Sequence, residues 1–318
     1  GRTNSPYDYG SLVAVSNTLT IGSGSWVYPY SEETNGGSPL FRVSNLVVAA
    51  NGGFNASGKG YLYNRGPGLG NPWAASYSPG SGYGGRGGDT DLRYGLGGRP
   101  YGSANAPLDP GSGGANYATT QAGGRGGGLV RIVASGSIDL NGTITARGED
   151  SSYVYDGAGS GGGINLVCRT FTGGSNGRLQ VKGGNFYPGY YAGGGGGGRI
   201  ALLYSTSVAA APGFQFNASP GQSFNDLPSA EGGPWRDASQ AGTLYLPDTV
   251  LLSPILTSGL FYNVRLVVSN FNSWAVPSLS ITNCAVAFEP WSASNFVLTA
   301  TNDIRIYGTN SYLGVTDL

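Results

Sequence analysis

The 318-residue sequence contains no histidine, no methionine, only two cysteines and only two lysines. Without histidine, the chain has no imidazole to act as a general base or a metal ligand. Charged residues make up 11% of the chain and the formal net charge is zero, which argues against a nucleic-acid partner. No run approaches the roughly 18 consecutive apolar residues of a membrane helix. These absences predict a protein that is not an enzyme, with no catalytic, cofactor-binding or metal-binding residues and no membrane span.

The first residue and the cysteines bear on processing and oxidation. The chain starts at Gly1 rather than at a methionine, which indicates processing from a longer precursor, and no signal peptide is visible. Cys168 and Cys284 are separated by 116 positions (284 − 168). Two interpretations of them stay open, one disulfide or two buried free thiols.

Glycine is abundant, at 59 residues, and part of it recurs with a fixed period. The triplet at 126–128 returns at 161–163 and 196–198, a step of 35 residues each time (163 − 128 and 198 − 163). An apolar run follows each triplet, and Ile144, Leu179 and Phe214 recur later at the same step. A fixed period in this range is typical of repeat architectures in which each unit stacks on the one before it.

The rest of the chain indicates short strands and almost no helix, because glycine or proline interrupts nearly every stretch long enough for three helical turns. We therefore predict an all-β fold, a parallel β-helix (β-solenoid) with long Gly/Tyr-rich loops. Its core should consist of apolar residues that share the repeat register: Val130, Ile132, Ile144, Ile164, Leu166, Leu179, Ile200, Leu202 and Phe214.

Composition divides the chain into four predicted segments. N-terminal β coils cover 1–60, a Gly/Tyr-rich insertion covers 61–128, three units of 35-residue period cover 129–221, and C-terminal β coils cover 222–318. The insertion is interpreted either as long loops or as extended polyglycine-like strands packed on the repeat face.

Two motifs that could carry chemistry are weak. The stretch 53–59 matches most of a phosphate-binding loop, but Gly60 stands where Ser or Thr would hold magnesium, and no helix follows. Its similarity to 141–148 makes a repeat turn the better interpretation. Of the acidic pairs, Asp89 with Asp91 could give calcium two ligands, but the full series of oxygen ligands is missing, so a solvated loop is favoured.

Two recurring residue types have both a structural and a functional interpretation. Ser or Thr followed by Asn ends several strands, which indicates either an internal amide ladder or ordinary turns; the asparagines are Asn17, Asn45, Asn270, Asn283, Asn302 and Asn310. Aromatic residues beside the glycine could stack on sugars or a neighbouring subunit, but packing over glycine within the chain is favoured. They are Tyr61, Tyr63, Tyr77, Tyr83, Tyr94, Tyr101, Tyr117, Tyr153, Tyr155, Tyr187, Tyr190, Tyr191, Trp73 and Trp235. The sequons at Asn55, Asn141 and Asn217 are interpreted as incidental.

The glycine-rich runs that precede Leu129, Ile164 and Arg199 resemble the repeats of large bacterial secreted surface proteins of the adhesin or autotransporter type. The resemblance covers roughly residues 40 to 250 and is compositional. It implies a β-helical fold and an extracellular or cell-surface location, and it implies no catalytic residues.

Taken together, these features predict an extracellular structural protein that self-assembles head to tail into a fibre or surface layer. The alternative is a surface adhesin or carbohydrate-binding module of a larger secreted protein. Strand patterns at 12–21 and 303–318 leave no visible cap near either terminus, which favours the first. The expected partners are other copies of the chain and a polysaccharide, and no cofactor is expected.

Overall fold

The computed structural model describes residues 10–72, 77–90, 95–117, 122–187, 192–207, 213–223, 238–257, 261–268, 273–290, 296–308 and 311–315. These residues form strands and irregular segments without a helix. The strands are β1 (Leu12–Ile21), β2 (Trp26–Val27), β3 (Leu40–Val48), β4 (Gly53–Asn55), β5 (Asn71–Pro72), β6 (Gly95–Leu96), β7 (Leu129–Ala134), β8 (Ser137–Leu140), β9 (Thr143–Thr145), β10 (Gly163–Gly173), β11 (Arg178–Gln180), β12 (Arg199–Ser207), β13 (Gln215–Asn217), β14 (Thr243–Tyr245), β15 (Ile255–Thr257), β16 (Phe261–Tyr262), β17 (Val264–Val268), β18 (Ser273–Thr282), β19 (Ala285–Pro290), β20 (Val297–Tyr307) and β21 (Tyr312–Val315).

Parallel pairing dominates the sheets. The largest has ten strands, in the order β1-β3-β7-β10-β12-β14-β17-β19-β21 with β8 beside β3 and β10. A second sheet has six strands, β16-β13-β11-β9-β4-β2, and a third has three, β15-β18-β20. Only the short pair β5–β6 is antiparallel among the described strands. The all-β part of the predicted fold class is therefore confirmed.

The core lies between the sheets and contains all nine residues predicted for it, each 2% exposed or less. Ile164 pairs with Val130 on one side and with Ile200 on the other, and Leu166 pairs in the same way with Ile132 and Leu202. The pairing steps are 34 residues (164 − 130) and 36 residues (200 − 164), not 35.

The predicted parallel β-helix is wrong, because the strands at the centre of the large sheet close into a four-stranded barrel. β3 pairs with β7 through its first half and with β8 through its second half. β10 also pairs with both, so the circuit β3-β7-β10-β8 is closed. The cause is a break at Ser135 and Gly136, which the apolar pattern does not show. Asn45 Oδ1 accepts hydrogen bonds from the backbone N–H and hydroxyl of Ser137, at 2.9 and 3.0 Å, and so holds the second half-strand in place.

The long Gly/Tyr-rich segments form a layer of extended chains that we call the glycine layer, which includes 80–88, 111–115, 123–128, 157–163 and 193–198. In 157–163, successive backbone N–H groups donate in rotation to three different segments. Gly157 and Ser160 donate to 112–115, Ala158 and Gly161 to 193–196, and Gly159 and Gly162 to 146–149, at 2.7–3.1 Å. A period of three is that of a polyproline-II-like helix rather than of a β-strand. Within the predicted insertion, 80–88, 111–115 and 123–128 belong to the glycine layer.

Buried polar side chains join the glycine layer to the large sheet. Arg199 is 7% exposed, and its guanidinium lies 5.5 Å from the ring centroid of Tyr83. It donates to the carbonyl oxygen of Tyr101 at 2.9 Å and to Thr243 Oγ1 at 3.1 Å. Burial lowers the pKa of Arg199, and the two acceptors and the Tyr83 ring stabilise the guanidinium in place of water. Arg265 reaches the layer in a second place, where it donates to the carbonyl oxygen of Gly84.

Candidate functional surfaces

The carboxylates that the sequence offers for metal binding are occupied by partners within the chain. Asp89 is 3% exposed and accepts from Arg86 and from the backbone N–H of Gly97, both at 2.5 Å. Asp91 lies outside the described residues. Glu33 pairs with Arg125 at 2.7 Å. In the described part of the chain, no group of three His, Cys, Asp or Glu residues could hold a metal ion.

The stretch that resembles a phosphate-binding loop is a strand and the corner that follows it. Phe54 pairs with Ile144, which is the alignment expected from the similarity between 53–59 and 141–148. Lys59, the residue that would contact a phosphate, lies with Nζ 4.5 Å from the ring centroid of Tyr30. Its charge is therefore directed at an aromatic ring instead of at a nest of backbone N–H groups.

Both cysteines are buried free thiols, which decides between the two interpretations given by the sequence. Cys168 lies in β10, and burial raises its pKa to about 11, so its thiol stays protonated at neutral pH. Cys284 follows β18, and burial raises its pKa as well. Neither thiol is activated as a nucleophile.

The asparagines that follow Ser or Thr form no amide ladder among the described residues. Asn45 accepts a hydrogen bond from Ser137 at the joint between β7 and β8. Asn283 adopts a left-handed backbone conformation with φ of 53°, and Asn17 and Asn302 are exposed. Asn270 and Asn310 lie outside the described residues. Ordinary turns and kinks account for the four that are described.

Seven of the glycine-adjacent tyrosines form two groups, while Tyr63 is half-buried and Tyr187 is exposed outside them. Tyr61, Tyr83 and Tyr101 pack within the glycine layer, as the structural interpretation predicts, and burial raises the pKa of Tyr101 well above its usual value. Tyr155 lies at the centre of a second group, with ring centroids of Tyr77, Tyr117 and Tyr153 between 4.9 and 5.7 Å away. Tyr117 and Tyr153 in this group are each 38% exposed. Trp73, Tyr94, Tyr190, Tyr191 and Trp235 lie outside the described residues.

The sheet edges leave part of the apolar core uncovered. At β20, Ile304 and Ile306 continue the rows of Leu279 and Ile281, which are completely buried, yet each is 45% exposed. At β1, Val13 continues the row of Phe41, which is 6% exposed, and is itself 40% exposed. Among the described strands, β1 pairs only with β3, β20 only with β18, and β21 only with β19. Each edge therefore offers unpaired backbone groups beside exposed core side chains.

Sequence reasoning missed an aromatic strip, which we define as Trp26, Tyr28 and Tyr30. The three side chains are 38%, 54% and 60% exposed. They alternate with Val27 and Pro29, which face inward. Every second residue of an extended segment points to the same side, so the rings lie about 6–7 Å apart along a line. The alternation Trp-Val-Tyr-Pro-Tyr is the signal in the sequence that could have identified it.

The strip borders the outward surface of the six-stranded sheet, which we call the basic face. The residues of this face alternate along each strand with the core residues Phe54, Ile144, Leu179 and Phe216. The parallel pairing continues past the strand ends, for example through the hydrogen bond from Gly148 N–H to Lys182 C=O at 2.8 Å. At these outward positions Gly53, Thr145 and Ser219 are buried, and the exposed or half-buried residues are Asn55, Ser57, Thr143, Arg147, Arg178, Gln180, Lys182, Gln215 and Asn217.

Three of the outward residues of the basic face are cationic, and none of them is Asp or Glu. Arg147 and Arg178 are exposed and Lys182 is half-buried. Burial and the nearby charge of Arg147 lower the pKa of Lys182, while Asp150 raises it. The bordering carboxylates of Glu149 and Asp150 accept backbone N–H groups of Arg125 and Asn185, at 3.2 and 2.7 Å. The face therefore presents positive charge, amides and hydroxyls beside the aromatic strip.

Comparisons with protein-family models, with curated proteins and with solved structures find no match for this chain. In the described part of the chain there is no helix with the length and apolar character to cross a membrane.

Proposed function

We propose that this chain is an extracellular structural protein that self-assembles head to tail into a fibre or surface layer. The observation that carries the proposal is the uncovered core at the edges, where Ile304 and Ile306 are each 45% exposed in register with buried partners. A strand supplied by a second copy would bury these side chains and pair the free backbone groups. The extracellular location rests on the glycine-rich composition and on the resemblance to secreted surface proteins.

The strand direction favours contact between unlike edges. The sheets are parallel, so adding β1 of one copy to the β20–β21 edge of another continues the existing pairing. A contact between different surfaces that does not close into a ring produces a filament. β1 contains no charged residue over its ten positions, so it lacks the charges by which exposed edges usually prevent pairing.

The test replaces the exposed core residues at one edge by lysine. The double variant Ile304→Lys, Ile306→Lys should remain a 32.4 kDa monomer, while the unchanged chain forms filaments under the electron microscope. The control is Val250→Lys, because Val250 is similarly exposed at 49% but lies in the turn after β14, outside β1, β20 and β21. Light scattering after size-exclusion chromatography gives the mass of each species.

Two results would contradict the proposal. One is an unchanged chain that stays monomeric at high concentration. The other is a closed dimer, which would indicate that two β1 edges pair with each other instead of with the opposite edge.

A second candidate function is a surface adhesin or carbohydrate-binding module. The aromatic strip favours it, because exposed rings in a row offer flat apolar surfaces on which sugar rings stack. The strip lies on the outward side of β2 and the segment after it, so an end-to-end contact between copies would leave it accessible. The two functions can therefore coexist in one molecule.

A further inference from the structure

We infer that the aromatic strip and the basic face together bind an extended acidic polysaccharide, one that carries carboxylate groups along its chain. The inference rests on the second candidate function, glycan binding, and not on filament assembly. It assigns the ligand class and the residues that would contact it.

The shape of the surface favours a linear ligand. Trp26, Tyr28 and Tyr30 lie along one extended segment, with rings about 6–7 Å apart. Lys59 stands at the end of this row, with Nζ 4.5 Å from the Tyr30 ring centroid. A chain of sugar rings can lie along the strip, each ring with its apolar side against an aromatic ring.

The charge of the surface favours an acidic ligand. Arg178 lies in β11, and Arg147 and Lys182 follow β9 and β11 where the ladder continues past the strand ends. None of the outward positions of the basic face carries a carboxylate. An arginine guanidinium binds a carboxylate through two parallel hydrogen bonds, and this geometry selects carboxylates over hydroxyls. The chain as a whole has 17 cations and 17 anions, so the local excess of positive charge is a property of this face.

The polar groups suit the hydroxyls and carboxylates of a glycan. In Asn55 and Asn217, the side-chain oxygen accepts the backbone N–H of the serine two residues later, at 3.0 Å in both cases. This bond fixes the orientation of each amide, so its NH₂ group is held as a donor at a defined place on the face. Preorganised donors lower the entropy cost of binding.

The overall charge argues against a nucleic acid on the same surface. Single-stranded nucleic acids also stack on aromatic rings above basic grooves. Such sites normally belong to strongly basic domains, whereas this chain has a pI near 6.5. Binding of an oligonucleotide is therefore kept as an outcome of the test.

The experiment measures binding of the full-length chain to polygalacturonate by isothermal titration calorimetry, at low and at high salt. The matched ligand is the same polymer with its carboxylates methyl-esterified, and a dT20 oligonucleotide is the third probe. Polygalacturonate should bind about tenfold or more tightly than the esterified polymer, and salt should weaken its binding.

Two variants separate the parts of the site. Trp26→Ala with Tyr28→Ala should weaken binding of both polymers about tenfold or more. Arg147→Gln with Arg178→Gln should weaken binding of the acidic polymer about tenfold and so remove its preference over the esterified one. The controls are Tyr187→Ala, an aromatic residue 45% exposed elsewhere, and Arg42→Gln, an exposed cation of the large sheet. Circular dichroism checks the fold, and Tyr30→Ala replaces the strip variant if that variant unfolds.

The outcomes distinguish this inference from the proposed functions. If the unchanged chain binds neither polymer, glycan binding and the inference both fail. If it binds a polymer but the strip variants have no effect, this site is wrong. Equal binding of both polymers would overturn the acidic ligand, and tighter binding of dT20 would assign the face to nucleic acid. Filament formation by the same variants, followed by electron microscopy, reports on assembly separately.

Discussion

At the scale of single residues, the close approach of neighbouring backbone segments requires glycine at many positions. A Cβ atom on Gly195 would lie 1.9 Å from the carbonyl oxygen of Gly159, much closer than any real contact of that kind. The same atom on Gly22 would meet only Ser25 Oγ, at 3.9 Å. Side chains are therefore excluded from the interior of the glycine layer but tolerated in the turn that follows β1.

Substitution by alanine tests this difference directly. Gly195→Ala should lower the free energy of unfolding by about 1–3 kcal/mol or more, because a methyl group forces the packed segments apart. Gly22→Ala should change it by less than about 0.5 kcal/mol. Urea denaturation followed by circular dichroism measures both. Equal effects of the two substitutions would show that the segments of the layer are not packed as described.

The sequence predicts which residues are buried better than which residues pair. Leu179 pairs with Phe216, at a step of 37 residues, and not with Phe214 as the 35-residue period predicts. Both phenylalanines are buried. A shift of two residues keeps the same side chains facing inward, so the apolar pattern alone cannot distinguish the two registers.

At the scale of elements, the joint between β7 and β8 closes the barrel. Asn45 supplies this joint with two hydrogen bonds to Ser137, at 2.9 and 3.0 Å. The 35-residue period contains no sign of this break, which is why the sequence predicts a parallel β-helix instead. The decisive information is the contact of Asn45 with a residue 92 positions away, and no local pattern contains it.

Removing the Asn45 amide tests the role of the joint. Asn45→Ala should destabilise the fold by about 1–3 kcal/mol, because the N–H of Ser137 loses its acceptor. The control is Asn17→Ala, since Asn17 is exposed and its only described side-chain bond is a 3.4 Å contact with Thr18. Chemical denaturation gives both values. Equal free energies of unfolding for the two variants would show that the bonds of Asn45 do not stabilise the fold.

At the scale of the whole molecule, the glycine layer is ordered although few of its residues are assigned to strands. Its backbone N–H groups are bonded to distant segments, as in 157–163 and 193–198. We expect amides of these segments to exchange with deuterium as slowly as those of β10, and amides of the turn at 22–25 to exchange rapidly. Hydrogen-exchange mass spectrometry measures this. Rapid exchange throughout the layer would show that it opens locally.

The candidate sites were only partly accessible to sequence reasoning. The strand patterns near 12–21 and 303–318 indicate the edges, but which of their side chains are exposed follows only from the pairing with β3 and β18. The prediction for aromatic residues covers those beside the glycine-rich segments and therefore leaves out Trp26, Tyr28 and Tyr30. The basic face could not be predicted at all, since Arg147 and Lys182 become neighbours only through the pairing of β9 with β11 and its continuation past the strand ends.

The rotation of hydrogen bonds in the glycine layer has a consequence for how the molecule resists force. An edge strand of a sheet can be unzipped one bond at a time, because all its bonds point to a single neighbour. Segment 157–163 is bonded to three neighbours in turn, so pulling it away from any one of them shears the bonds to the other two. A fibre or coat built from such a body would have no weak direction across the layer, and glycine is the residue whose small size makes this possible.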